Sequence, residues 1–178
     1  MRIKGKGTEL RNQIFKSDAR TLAYEIISND PDIQAAGINA LLLRLDPITI
    51  DAINSWHLWE GVNPYPWESI PDWKRKDARG FDLAIWYEEK LCGLCYATPR
   101  ESTICIKIVL LQGYTRNTLP LRGWIAPIAL RATELYARML GCDEIEVQEP
   151  DPGAIPYYRK LGFTFDKTNR LVFSLDDQ

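Results

Sequence analysis

The rhythm of polar and apolar positions changes once along the chain, near residue 80. Before that point apolar side chains recur every three or four positions. Over residues 17–28, Leu22, Ala23, Ile26 and Ile27 keep the 3.6-residue period, with Ser17 or Asp18 placed to cap the helix start. Asn29-Asp30-Pro31 breaks the pattern. A second helix is expected over 32–44, with Ile33, Ala36, Ala40 and Leu43 on one side, and a third over 49–59. Residues 61–73 then carry three prolines and two tryptophans, an irregular but ordered loop. Its tryptophans either lock the loop onto the core or line a pocket, with Trp67 and Trp73 as candidate substrate contacts. Lys74-Arg75-Lys76 reads as a solvated face.

From Phe81 the texture is that of strands. Three runs, 81–87, 91–97 and 103–111, alternate with the polar turns 88–90 and 99–102, the pattern of an antiparallel meander. A polar loop follows over 112–121. Residues 125–140 then form an amphipathic helix with Ile125, Ile128, Ala129, Ala132, Leu135, Tyr136 and Met139 as its stripe and Gly141 as its stop. A short strand over 144–148, a short helix ending at Leu161-Gly162 and a hairpin around 166–170 complete the chain.

Composition narrows the class. The chain has 178 residues, 46% hydrophobic and 26% charged, which suits one globular domain of mixed α/β type. A formal net charge of −2 supplies no global field toward nucleic acid. No apolar run is long enough for a secretory leader or a membrane span, so a cytoplasmic protein is expected, with neither nucleic acid nor membrane as partner. Cys92-Gly-Leu-Cys95 matches C-x-x-C, but no second ligand pair accompanies it. It also lies inside a strand-like run, so buried free thiols are expected and no metal. The lone His57 has no partner nearby in sequence.

Three features of the second half share one pattern. Ala154-Ile-Pro-Tyr-Tyr-Arg-Lys-Leu-Gly-Phe163 resembles the A-x-x-F/Y-Y-x-x-L-G-F signature of the GNAT N-acetyltransferases. Arg122-Gly123, at the start of the amphipathic helix, resembles the opening of that family's Q/R-x-x-G-x-G/A pyrophosphate loop. The order strand, loop, helix, strand, helix is the third. The resemblance covers residues 81–175, the expected acyl-coenzyme A core. Residues 1–75 form a helical part outside it and lack the strand with which the family opens.

The resemblance implies a GNAT-like fold: a mixed, mostly antiparallel twisted sheet flanked by helices. It implies acetyl-coenzyme A as co-substrate and a small-molecule or protein amine as acceptor. A homodimer is compatible with it. The pantetheine arm would pair with the edge of Val109, Leu110 and Leu111. The diphosphate would meet the free amides of Arg122, Gly123, Trp124, Ile125 and Ala126 at a helix N-terminus. Asp151, Ala154 and Tyr157 would flank it. Tyr158 takes the place of the tyrosine that protonates the departing thiolate. The general base is left open between Glu149, Asp151 and a water. Two positions depart from the motif: Ile125 and Pro127 stand where glycines belong, and Pro127 lacks an N–H. Arg116 and Arg122 could compensate by charge pairing. The departures leave a second reading, a GNAT-fold binding or regulatory module without transfer activity. A third is another acyl transfer on the same fold.

Overall fold

The computed structural model describes residues 6–61, 63–116 and 120–176. The basic start of the chain and the middle of the loop at 112–121 fall partly outside those residues. Helices α1 (Lys6–Ser28) and α2 (Pro31–Ala35) open the chain, followed by strand β1 (Leu43–Asp46) and helices α3 (Ile50–His57) and α4 (Ile70–Lys76). Strands β2 (Phe81–Tyr87), β3 (Lys90–Thr98) and β4 (Cys105–Gly113) come next, then α5 (Ile125–Leu140), β5 (Glu144–Val147), α6 (Ile155–Lys160), β6 (Thr164–Phe165) and β7 (Leu171–Ser174).

The strands form one seven-stranded sheet in the order β1-β2-β3-β4-β5-β7-β6. All pairings are antiparallel except β4 with β5. This is the mixed sheet expected from the meander and the crossover through α5. Helices α1 and α5 share one face, where Ala19, Ala23, Ile128, Ala129 and Ala132 pack on Phe81, Leu83 and Ile106. Small residues at the helix contacts let both helices approach the sheet closely. Helix α3 and the Trp67 segment cover the other face through Ile53, Trp56, Trp67 and Ile70.

Several expectations fail in the first half, the loop over 61–73 among them, since its end is the helix α4. Helix α1 begins at Lys6 rather than at Ser17 and packs along α5; upstream of Ser17 its inward positions are Asn12, Phe15 and Lys16, while Leu10 and Ile14 are exposed. The helix expected over 32–44 stops at Ala35, where Gly37 turns at φ +79°. Leu43-Arg44-Leu45 then alternates buried, exposed, buried and pairs with Ile85, Trp86 and Tyr87. A strand therefore does precede the meander. Lys74 is not solvated: its Nζ lies 2.9 Å from Asp82, a carboxylate that Arg20 also holds at 3.2 Å. Asp82 is buried, so these two cations supply the compensation a buried charge requires. Together they fasten α1 and α4 to β2.

Two bulges re-phase the central strands. Cys92 is the extra residue opposite β2, and Val109 is the extra residue opposite β3. A bulge turns two successive side chains to one face. Val109 and Leu110 accordingly both lie on the α3–α4 side.

Candidate functional site

β4 and β5 run side by side only as far as Ile108 and Val147, closed by Gln148 N donating to Ile108 O at 3.0 Å. Beyond that point β5 ends and Glu149 turns the chain at φ +46°. β4 continues to Gly113 with its outer edge open. Tyr114 N donates to Cys92 O across to β3, so strand alternation turns the amide groups of Leu111 and Gly113 into the gap.

The N-terminus of α5 faces this edge. Gly123, at φ +84°, bends the chain into the helix. Trp124 N is used by Leu121 O and Ile128 N by Trp124 O. The amides of Ile125 and Ala126 are left as first-turn donors, and Pro127 contributes none. A cavity of about 310 Å³ opens here, lined by Leu111, Gly113, Arg122, Gly123, Ala126 and Tyr157 among others.

Ile125 borders this cavity but its side chain drops onto the sheet. A Cβ on Gly93 would lie 2.5 Å from Ile125 Cγ2, and one on Gly113 3.3 Å from Cγ1. Two glycines on adjacent strands thus make the seat that Ile125 fills. Pro127 turns to the opposite side of α5, toward Leu130, Phe163 and Phe173. Neither side chain closes the groove. Arg116 is committed to an ion pair with Glu60, which leaves Arg122 as the cation on the cavity wall.

Helix α6 brings in both tyrosines. Tyr157 donates its hydroxyl hydrogen to Gly123 O at 3.1 Å, tying α6 to the α5 loop. Tyr158 is 8% exposed and packs edge-on against Phe163. Burial pushes its phenol up to about 12, with Cys95, Tyr65 and Tyr157 as the facing ionisable groups. Cys95 and Tyr158 belong to the α1–α5 side and Tyr65 to the α3–α4 side. Tyr158 itself does not line the cavity beside α5, which its neighbour Tyr157 does.

The remaining expected residues scatter. Val109 borders a different cavity, on the α3–α4 face. Leu110 is core, and Trp124 and Ala154 pack against the α1–α5 core. Glu149 is exposed at the turn where β5 leaves β4. Asp151 spends one carboxylate oxygen on Gly153 N at 2.8 Å. Trp67 is 0% exposed and its indole N–H donates to Gln112 at 2.7 Å. It therefore holds the loop and touches no acceptor, whereas Trp73 does reach a cavity wall. The four cysteines are free and buried, and the described residues contain no cluster suited to a metal ion. Glu146, passed over in the sequence, is buried opposite Lys107, with Lys107 Nζ at 3.7 Å and Arg170 at 3.4 Å. Its place in the Ile145–Val147 alternation was the signal.

No family model matches the chain, and no curated protein matches it closely in sequence. Solved structures do match in shape. An acetyltransferase of the GNAT family from Staphylococcus aureus Mu50 superposes with a TM-score of 0.58 at 10% identity, over 75% of this chain and 99% of that one. An aminoglycoside 6'-N-acetyltransferase complexed with coenzyme A gives 0.55 at 9% identity, over 75% and 98%. The ribosomal-protein-S18-alanine N-acetyltransferase from Escherichia coli gives 0.53 at 11%, over 76% and 96%. The chain has the GNAT fold.

Proposed function

We propose that this GNAT-fold chain is an acetyl-coenzyme A-dependent N-acetyltransferase acting on an amine. The observation that carries the reading is the meeting of an open β4 edge, a helix N-terminus with two free amides and a cavity between them. That arrangement suits a long ligand with a diphosphate at one end and an amide-bearing arm at the other. The amide groups of Leu111 and Gly113 would pair with the arm. The amides of Ile125 and Ala126, with Arg122, would take the diphosphate. The structural neighbours named above are acetyltransferases, and one was solved with coenzyme A.

Acetyl-coenzyme A supplies an activated acyl group on sulfur. The amine nitrogen forms the new bond to the acyl carbon, the carbon–sulfur bond breaks, and the amine proton leaves to water or a base. Tyr158 serves the departing sulfur. A phenol near 12 facing a thiol of ordinary pKa about 8.5 does not surrender its proton outright. Tyr158 instead holds the proton on its own oxygen and donates a hydrogen bond to the sulfur as charge develops there. At neutral pH it is fully protonated and always ready to donate.

A second reading has support in Pro127, which removes one amide from the diphosphate site: a binding or regulatory module without transfer activity. Acetyl-coenzyme A at one hundred times its Kd should stabilise the fold by about 2.7 kcal/mol, seen as a rise in Tm. Absence of any rise at millimolar ligand overturns the transferase reading and favours the module. Binding without thiol release across an amine panel favours the module. With turnover established, Tyr158→Phe should lower kcat by about ten- to a hundredfold and leave coenzyme A affinity unchanged.

A further inference from the structure

Two cavities share a wall, the first on the α3–α4 face and the second reaching α1 on the opposite one. One, about 270 Å³, has Val109, Tyr96 and Trp73 on its sides and Lys76, Asp77 and Arg100 at its far end. The other, about 570 Å³, starts from those same three residues and reaches Asn12 on α1. The groove therefore runs from the β4 bulge to the start of α1. Its near end lies on the same strand as the open edge, across the sheet from the α5 site.

Two largely buried polar side chains line it, Tyr96 in the nearer cavity and Asn12 in the farther one. Tyr96 is 3% exposed, and its hydroxyl makes no hydrogen bond. Burial, with Asp77 and Asp82 nearby, pushes this phenol upward. Asn12 is 4% exposed. Among the described residues the one fully buried side-chain polar atom without a hydrogen bond is Trp56 Nε1, so neither group is a desolvated orphan, and both stand as polar wall that a ligand in the groove can reach.

The charges at the junction indicate what binds. Asp77 accepts from Arg79 N on one oxygen and from the Thr98 hydroxyl on the other, and against its charge Lys76 and Arg100 leave the junction one positive charge in excess. Arg79 is spent on the carbonyls of Arg100 and Ser102, which fixes the turn that carries Arg100. Lys76 and Arg100 have no ion pair among the described residues. The narrow point of the groove thus presents a net positive charge beside an aromatic wall of Trp73 and Tyr96, whose rings lie 5.4 Å apart. Glu9 and Glu101 line only the distal cavity.

We propose that this groove takes the acceptor, and that the acceptor is a small amine carrying a carboxylate. Its nitrogen lies at the Val109 bulge and its carboxylate between Lys76 and Arg100, with the chain between them against Trp73 and Tyr96. The proposal rests on the acetyltransferase reading for its chemistry, but the groove itself binds independently of transfer.

The test is calorimetric titration of the full chain with γ-aminobutyrate, δ-aminovalerate and ε-aminocaproate, each against the alkylamine of equal length. At least one amino acid should bind about tenfold tighter than its alkylamine, the yield of one charge-assisted hydrogen bond. A Lys76→Gln, Arg100→Gln double variant should erase the difference, and Lys167→Gln, a charge control on the β6–β7 turn, should keep it. Lys76→Met alone, at an exposed position, should remove part of it without touching the Arg100 turn. No preference in the unmodified chain, or a preference that survives the double variant, overturns the proposal and leaves a water-filled groove. Acetyl-coenzyme A titration and thiol release separate the two readings. Lys76-dependent amino acid binding without any acetyl-coenzyme A binding or turnover removes the transferase and keeps the groove. Turnover of alkylamines as fast as amino acids does the reverse.

Discussion

Ile125 and Pro127 both replace expected glycines at the start of α5, with opposite consequences. Ile125 costs the groove little, because Gly93 and Gly113 give its side chain a place on the sheet. Pro127 subtracts a donor that nothing replaces, although its ring suits a first helical turn. Pro127→Ala should therefore tighten coenzyme A binding by about three- to tenfold in a direct titration, since the restored amide meets a charged phosphate. Unchanged affinity would mean that the diphosphate does not reach the third position of the helix. At this scale the sequence was informative where spacing is local. Arg122 to Ala126 and the Tyr157–Tyr158 pair are each contiguous, and Arg122, Gly123, Ile125, Ala126 and Tyr157 line one cavity while Tyr158 does not. Tyr96, Lys76 and Arg100 were not legible, and Val109 was read only as part of the pantetheine edge. The β4 bulge and the register between strands bring them together, and neither leaves a mark in the spacing of side-chain types. Glu149 was readable as a carboxylate near the gap but not as the left-handed residue that opens it.

Among the elements, strand β1 was read as helix, and helix α4 as the end of a loop and a solvated face. Leu43-Arg44-Leu45 is too short to separate a period of two from 3.6, and only pairing with β2 decides it. Long, strongly patterned elements, β2, β3 and α5, lie within two residues of where their sequence periods place them. The β6–β7 turn has a built-in response to acid. Asp166 accepts from the backbone N–H of Arg170, its largest influence, and from Thr168, which together bring its pKa down to about 2. A depressed carboxylate pKa adds stability above the unfolded value near 4, and that contribution disappears as pH falls from about 4 to 2. The turn should loosen in that window. The Asp166 carboxyl resonance should titrate near 2, and the Thr168 and Arg170 amides should lose exchange protection along with it. An Asp166 midpoint near 4 would mean that the turn is not held this way in solution.

For the molecule as a whole, one sheet carries two cavities, one beside the start of α5 and one beside Trp73 and Tyr96. The four thiols are locked within this arrangement. Burial raises Cys95 and Cys105 to about 12, against an unperturbed value of 9. A raised pKa leaves stability at its full value below pH 9, and stability then falls between 9 and 12 as the unfolded thiols ionise first. A thiol reagent at pH 8 should accordingly modify the cysteines only at the rate of unfolding. Prompt labelling of one or more would show local opening of β3 or β4.

The sheet is bounded by β1, four residues long, and β6, two residues long. Rims this brief give a stray polypeptide almost no ladder on which to zip itself, and β1 places Arg44 midway along that rim. A chain with this many β-branched and aromatic residues in its interior would be prone to fibrous assembly if its margins were long. Here the margins are the least adhesive part of the sheet.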